Sequence, residues 1–445
     1  MFSLKSSCER FFALSQNHTN LRTEIVGGLT TFMTMSYIIF VNPALLSKAG
    51  IPFEATVTAT AWSAGLITLL MGLWTNYPIA LASGMGLNAA LTYNIVLGMN
   101  VPWQTAMGVI VVEGLLVTGL VLTNIREKVM DAIPFSLKRA IGSGIGLFIA
   151  FIGLKDAGFV VSHSATFVTI GNFKEPAVWL SVLGLLISVA LLLKKVRGAL
   201  LFGMIVTAGT AFIFQLLNKP SHFISLPSFP STFFQCDIRS ALTWSLAPII
   251  FSFFMMDFFD TMGTTIALAE QGGFLTQEGK VPRLQRVLLV DSFGAVLGGL
   301  FSASSVTAYI ESASGIAEGA RTGLSSIVVA ICFFIAPFFT PLVQMIGGGV
   351  PTEMGYLNPV TAPALILVGF LMMQLIADIR WSELEEGFPA FVTLVGMPLT
   401  FSISHGIGFG FISFTLIKIF QNKAKEVSFF MYASSILFMI SFVLG

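Results

Sequence analysis

Two aspartates three residues apart stand inside an apolar run, Phe251-Ser-Phe-Phe-Met-Met-Asp257-Phe-Phe-Asp260-Thr261-Met-Gly263-Thr264. At helical spacing they share one face. Two carboxylates that close, away from bulk water, repel when both are ionised, so one should keep a proton that it can exchange near neutral pH. A helix-end cap or a salt bridge to an arginine elsewhere is the other reading of the pair. The stretch Asp260-Thr261-Met-Gly-Thr also looks like a place where side-chain oxygens replace backbone partners and the helix loosens. Glu311 lies in a second apolar stretch, with Arg321 the nearest basic residue in sequence. A lone carboxylate there could accept ring N–H groups of a heterocycle or take up a proton. Asn88, which follows Gly84-Met-Gly86-Leu, offers both donors and acceptors to a planar ligand, or else satisfies interrupted backbone nearby. Glu113 and Asp291 read as structural or gating hydrogen bonds, and His405 as structural. Glu318 is expected to pair with Arg321 at a membrane boundary.

The elements that must carry these groups are membrane helices. Of 445 residues, 55% are apolar and 10% charged, with a mean hydropathy of +0.88. A soluble chain carries about 25% charged residues, so most of this surface must face lipid. A spanning helix needs about 20 mostly apolar residues. Such runs fall near 25–46, 56–73, 78–96, 103–123, 140–154, 177–193 and 198–217. After a loop at 218–241 with Pro220, Pro227 and Pro230, a second set falls near 242–268, 287–301, 303–318, 322–345, 358–377, 387–402 and 404–420. A last apolar stretch, 427–444, is either an extra span or a helix lying on the surface. Ionisable groups inside such spans are costly and tend to mark function.

Fourteen spans with the first 24 residues in the cytoplasm put 18 of the 23 Lys and Arg on the cytoplasmic side, as the positive-inside rule requires. Seven spans followed by seven suggests a duplication, and the odd number inverts the second half, a plan that underlies many secondary transporters. The third and tenth segments occupy matching places and open on Pro78-Ile-Ala-Leu-Ala-Ser-Gly84 and Ala303-Ser-Ser305-Val-Thr307-Ala-Tyr-Ile-Glu311. Both are poor helix starts. Interrupted segments at matching places point to a midplane site. Gly142-Ser-Gly144-Ile-Gly146 follows no strand and reads as close helix packing. Cys8, Cys236 and Cys332 are far apart and form no metal or disulfide framework. A net charge of +1 gives no pointer to nucleic acid.

At these residues the chain resembles the nucleobase–cation symporter-2 superfamily, in its AzgA-like branch of adenine, guanine and hypoxanthine permeases. The resemblance covers nearly the whole chain. It rests on Thr23-Glu24-Ile-Val-Gly-Gly-Leu-Thr-Thr-Phe, Phe40-Val-Asn-Pro43, Gly84-Met-Gly-Leu-Asn88, Ser143-Gly-Ile-Gly-Leu-Phe-Ile-Ala150 and Phe259-Asp260-Thr261-Met-Gly263-Thr264. Most specific are Ser304-Ser-Val-Thr-Ala-Tyr-Ile-Glu311-Ser and Gly319-Ala-Arg321-Thr-Gly323. The resemblance implies an all-α fold of 14 spans in two inverted repeats, with short extended stretches in spans 3 and 10. It implies a core domain (25–123 and 242–345) and a gate domain (140–217 and 358–420), with 427–444 as a terminal helix. Asn88, Asp260, Thr261, Ser305, Thr307 and Glu311 are then the positions expected to bind substrate, and Asp257, Asp260 and Glu311 those expected to couple a proton. The xanthine and urate branch signature, Asn-x-Gly in span 10, is absent, and relatives can carry an amide where Asp257 stands.

The expected activity is proton-coupled uptake of a purine nucleobase across the cell membrane, without metal or cofactor. Membrane lipid and a second copy of the chain are its expected partners. An intramembrane aspartyl protease would need its aspartates on two facing helices with a Gly-x-Gly-Asp loop, which this sequence lacks. An anion carrier or channel on the same plan would present a basic residue at the site, whereas the candidates here are acidic.

Overall fold

The computed structural model describes residues 9–123, 132–217, 220, 222–227, 229–276, 280–352 and 355–444. Cys8 and the other residues before Glu9 in the expected N-terminal segment lie outside the described residues.

The first span is two helices, α1 (Leu21–Met35) and α2 (Ile38–Leu46). Asn20 caps α1 by accepting the Thr23 N–H. The span expected near 25–46 thus falls in one apolar segment, Leu21–Ala49, that bends between the two helices. Its turns tighten at Ser36–Tyr37, where the Ile39 N–H bonds to Ser36 O and the Phe40 N–H to Tyr37 O. Pro43 then removes the N–H that would have bonded to Ile39 O. Next comes α3 (Phe53–Thr75), which ends on Asn76 in a left-handed conformation. The chain then extends through β1 (Leu81–Ser83) into α4 (Met85–Ala89), which widens into a π-helix over Ala90–Gly98. The first half continues with α5 (Trp103–Leu122), α6 (Phe135–Asp156), a hairpin of β2 (Val160–His163) and β3 (Phe167–Ile170), α7 (Pro176–Leu193) and α8 (Ala199–Ile213).

The second half repeats the plan with α9 (Ala247–Gln271) and α10 (Leu284–Phe301). Another extended stretch, β4 (Val306–Ala308), leads into α11 (Ser312–Ala317). There follow α12 (Gly323–Ile335), α13 (Thr340–Gly347), α14 (Ala362–Met372), α15 (Leu384–Leu399), α16 (Ile403–Phe420) and α17 (Phe429–Leu444). Among the described residues nine helical segments are long and apolar enough to cross a bilayer. The other spans are short or broken, which is why they escape a test based on length.

Strands β1 and β4 pair antiparallel, Leu81 facing Ala308, Ala82 facing Thr307 and Ser83 facing Val306. All six residues are buried. Extended backbone at membrane depth must have its N–H and C=O groups satisfied inside the protein. Here each half of the chain supplies one strand of the pair. The ladder continues outward through the Gly84 N–H to Ser305 O (2.8 Å) and the Tyr309 N–H to Ala80 O (2.9 Å). On the outer edges, Thr68 Oγ1 exchanges bonds with both backbone groups of Leu81, Ser312 Oγ accepts the Ala80 N–H, and Asp291 Oδ1 accepts the Ala308 N–H.

The helices pack in two groups. One joins α1–α5 to α9–α13, through contacts such as α5 on α10, α3 on α12 and α1 on α12; the other joins α6–α8 to α14–α16, with α6 on α14 and on α15. Glycines set the closest approaches. A Cβ on Gly323 would run into the carbonyl oxygen of Gly72. The Gly142–Gly146 run is a packing face, with Gly144 against Met397 and Gly146 against Gly369. The terminal helix α17 packs on α16 and α9.

Candidate functional site

The break in the first span, the start of α4, the middle of α9 and the end of β4 surround one cavity of about 90 Å³. On α9, Met256, Asp260 and Thr264 line it at four-residue steps, the spacing of one helix face. The tenth span contributes Thr307 through Glu311, and the third contributes Gly84 through Leu87. Gly84 lies against the Thr307 side chain, so the wall is largely backbone there. Ile145 of α6 and Val368 and Met372 of α14 close the opposite wall with apolar surface. The cavity therefore lies between the two helix groups.

Asp260 and Glu311 are half-buried and face this space. The Tyr37 hydroxyl donates to Glu311 Oε1 at 2.5 Å. Among the described residues, the neighbours acting on Asp260 are Glu311 and Thr307, and no Lys or Arg pairs with either acid. These two carboxyl groups thus share one small space, and among the described residues no permanent cation pairs with them there. Tyr309 sends its hydroxyl to Ser83 O at 2.6 Å, pinning the end of β1 to the end of β4.

The other four candidates stand one layer behind the cavity, and none lines it. Asp257 is fully buried, with Ser305 Oγ donating to its Oδ1 at 3.4 Å. Thr261 donates to Asp291 Oδ2 at 2.7 Å, and the other oxygen of Asp291 holds the strand through the Ala308 N–H at 2.9 Å. Asp291 thus ties α9 and α10 to β4. The Asn88 amide donates to Asn42 Oδ1 at 2.6 Å, and Asn42 in turn donates to Thr60 Oγ1 and Ala303 O. That chain of amides joins spans 1, 2, 3 and 10. Of the seven positions expected from the sequence, Asp260, Thr307 and Glu311 meet in the cavity, while Asn88, Asp257, Thr261 and Ser305 form its supporting layer.

Two expectations about neighbouring groups change. Glu318 pairs with Arg197, not Arg321. Gly319, at φ +99°, turns the chain so that the Arg321 guanidinium bonds back to Ile316 O and Ala320 O at 2.7 Å each. A cation is favoured at those helix-terminal carbonyls. Glu24, read as the end of a cytoplasmic segment, is fully buried and accepts the N–H groups of Arg321, Thr322 and Ser325 at the start of α12. His405 stacks edge-on against Phe442, and its backbone N–H bonds to Ser402 Oγ. Among the described residues no group of three His, Cys, Asp or Glu could hold a metal ion. A wider surface hollow of about 760 Å³, bordered by Gln104, Asp237 and Ser240, contains none of the candidate residues.

Tyr37 and Tyr309 are the site residues that the sequence reading missed. The chain has six tyrosines, and both of these fall in apolar runs. Their scarcity was the available signal.

The Permease family denoted Xan_ur_permease matches residues 22–440. The guanine/hypoxanthine permease PbuO of Bacillus subtilis is 42% identical over 96% of this chain and 99% of its own length. The adenine permease AdeQ of Escherichia coli is 39% identical over 98% of this chain and 96% of its own. Among solved structures, the transmembrane domain of the cyanobacterial bicarbonate transporter BicA shares the fold with a TM-score of 0.64 at 14% identity, covering 87% of this chain and 97% of that one. The fold is accordingly that of about fourteen spans in a 7+7 inverted repeat, with a core and a gate and extended stretches in spans 3 and 10. By sequence and architecture together, the chain belongs to the Permease family, that is, to the nucleobase–cation symporter-2 superfamily, in its AzgA-like branch.

Proposed function

We propose that this protein carries purine nucleobases (adenine, guanine or hypoxanthine) into the cell together with a proton, by alternating access. The observation that carries the reading is the cavity at the β1–β4 pair, where Asp260 and Glu311 face one space without a cationic partner among the described residues. A neutral ring bearing N–H donors suits such acceptors, and a proton taken up with it offsets their charge. An anion would meet repulsion there, which disfavours the carrier of anions that the shared fold alone would allow. The names of PbuO and AdeQ, a guanine/hypoxanthine and an adenine permease, support the substrate class.

The helix groups supply the moving parts. Residues 25–123 and 242–345 form the core that holds the strands, and 140–217 and 358–420 form the gate. A cavity of about 90 Å³ has room for about three waters, so a bicyclic base needs Ile145, Val368 and Met372 to withdraw from the core. The chain sits in the cell membrane with its N-terminus in the cytoplasm, as the distribution of Lys and Arg supports. Asn88, Thr261 and Ser305 set the backbone that binds substrate, while Asp257, Asp260 and Glu311 exchange the proton. Competition uptake with labelled adenine, guanine and hypoxanthine in a transport-deficient host tests the substrate class. Uptake should collapse in Glu311→Gln and fall with a protonophore. If both treatments leave uptake unchanged, the coupling assignment is wrong.

A further inference from the structure

The loop that joins the two halves carries apolar side chains on its outside. From Pro220 to Cys236 the sequence has no Asp, Glu, Lys or Arg. Phe223, Ile224, Leu226, Phe229 and Phe234 are exposed, Leu226 by 87% and Phe229 by 69%. Apolar surface gathered in this way marks a contact with a partner or a membrane. The loop lies directly on the helix group that holds the strands. The Ser225 N–H bonds to Phe338 O in the turn after α12, at 2.9 Å, and the Phe234 N–H to Leu300 O in the last turn of α10, at 2.7 Å. Ser302 Oγ donates to Thr232 O at 2.8 Å. Phe233 stacks on Phe301 with ring centroids 4.2 Å apart. Phe229 and Phe233 both meet Trp62 of α3, which at the rise of an α-helix lies about 14 Å along from Phe53.

These contacts sit at one membrane boundary, where α10 ends at Phe301 and α5 begins at Trp103. Trp244, just before α9, is 94% exposed, and tryptophan is favoured where membrane meets water. Phe338 and Phe339 beside the loop are exposed too, as are Ile335 and Ile331 along α12. The apolar face of the loop therefore continues the outer surface of a span. Irregular backbone cannot lie in hydrocarbon with its polar groups unmet. Pro220, Pro227 and Pro230 bring no N–H groups. Phe338 and Leu300 accept two others, and the Phe233 and Gln235 N–H groups bond to Pro230 O and Thr232 O. A backbone group without such a partner needs water, which sets the loop at the headgroup boundary and not deeper. We propose that Phe223, Ile224, Leu226, Phe229 and Phe234 insert into the lipid of one leaflet, the outer one in the orientation proposed above. The loop between the halves is thus an interfacial anchor, bonded to the core and held in the membrane by its apolar area. Its partner is glycerolipid, because the patch is uncharged and continuous with a surface that must already face acyl chains.

The test uses the full-length protein in vesicles of phosphatidylethanolamine and phosphatidylglycerol, with Cys8, Cys236 and Cys332 replaced by serine. A nitroxide label is attached at Leu226→Cys, at Ile331→Cys on α12 as the lipid reference, or at Thr166→Cys in the β2–β3 hairpin as the water reference. Collisions with dissolved oxygen, which concentrates in lipid, are compared with collisions with a water-soluble nickel complex. The Leu226→Cys label should follow Ile331→Cys in favouring oxygen, at a depth of roughly 5–10 Å below the phosphates. A label that follows Thr166→Cys lies in water, and the proposal fails. A label that neither reagent reaches, and that couples magnetically to the label of a second copy, shows a protein interface instead and overturns the proposal equally. Should the cysteine variants not fold, the native protein is irradiated in vesicles containing a phosphatidylcholine with a photoactivatable acyl chain, and its peptides are analysed by mass spectrometry. Lipid adducts on the loop side chains support the anchor; adducts on α12 with none on the loop refute it.

Discussion

Tyr37 shows how a single side chain sets the character of the site. Its hydroxyl reaches Glu311 from the break in the first span, and a hydrogen bond to a charged or acidic group is worth about 1.5–3 kcal/mol. Tyr37→Phe removes this bond from the ligand-free protein, so the purified variant should have a lower thermal midpoint, and the inhibition constant for hypoxanthine in competition uptake should rise because Glu311 loses the donor that orients it. The acidic residues of the cavity were legible in the sequence because a charge in an apolar run is conspicuous. The tyrosines were not, because a phenol ring continues such a run without interrupting it. Glu24 was hidden for the opposite reason. It stands beside polar neighbours at the edge of a span, so nothing in its surroundings tells that it folds inward onto the start of α12.

At the scale of elements, glycine contacts govern how closely the helices approach. Gly72 of α3 and the first residue of α12, Gly323, meet backbone to backbone. A methyl group at Gly323 cannot fit without separating the two helices, and overpacking of this kind costs about 1–3 kcal/mol. Gly323→Ala should lower the thermal midpoint of the detergent-purified protein and leave the inhibition constant of a bound base nearly unchanged. Most spans were legible from their length and hydropathy, and the interrupted third and tenth segments from small and β-branched residues at matching places. The break at Ser36–Tyr37 was not, since Ile38 through Val41 stay apolar and periodicity is blind to a local tightening. The register of β1 on β4 was equally invisible. It is set by side chains outside the strands themselves, Thr68, Asp291 and Ser312, which satisfy the outer edges of the ladder.

At the scale of the whole molecule, two ion pairs among the described residues join the helix groups at opposite ends. Lys48, after α2, pairs with Asp156 at the end of α6 at 2.5 Å, and Asn358 and Tyr93 gather round them. Arg197, before α8, pairs with Glu318 after α11, near the end where Glu24 starts the first span. If the core and gate move against each other, these contacts cannot persist unchanged through a cycle. With Cys8, Cys236 and Cys332 replaced by serine, an Arg197→Cys/Glu318→Cys protein treated with a short reversible thiol cross-linker should lose uptake and regain it on reduction. Continued uptake by the cross-linked protein would exclude relative motion at that end. The β1–β4 pair has a further consequence, for biosynthesis. While the ribosome is still making the middle of the chain, Leu81–Ser83 has left it but Val306–Ala308 does not yet exist. More than two hundred residues of translation separate the two, and through that interval one strand edge sits in the nascent bundle with its hydrogen bonds unmade. Insertion of the first seven spans therefore cannot complete their folding, and a chain terminated in the central loop should be cleared by membrane quality control.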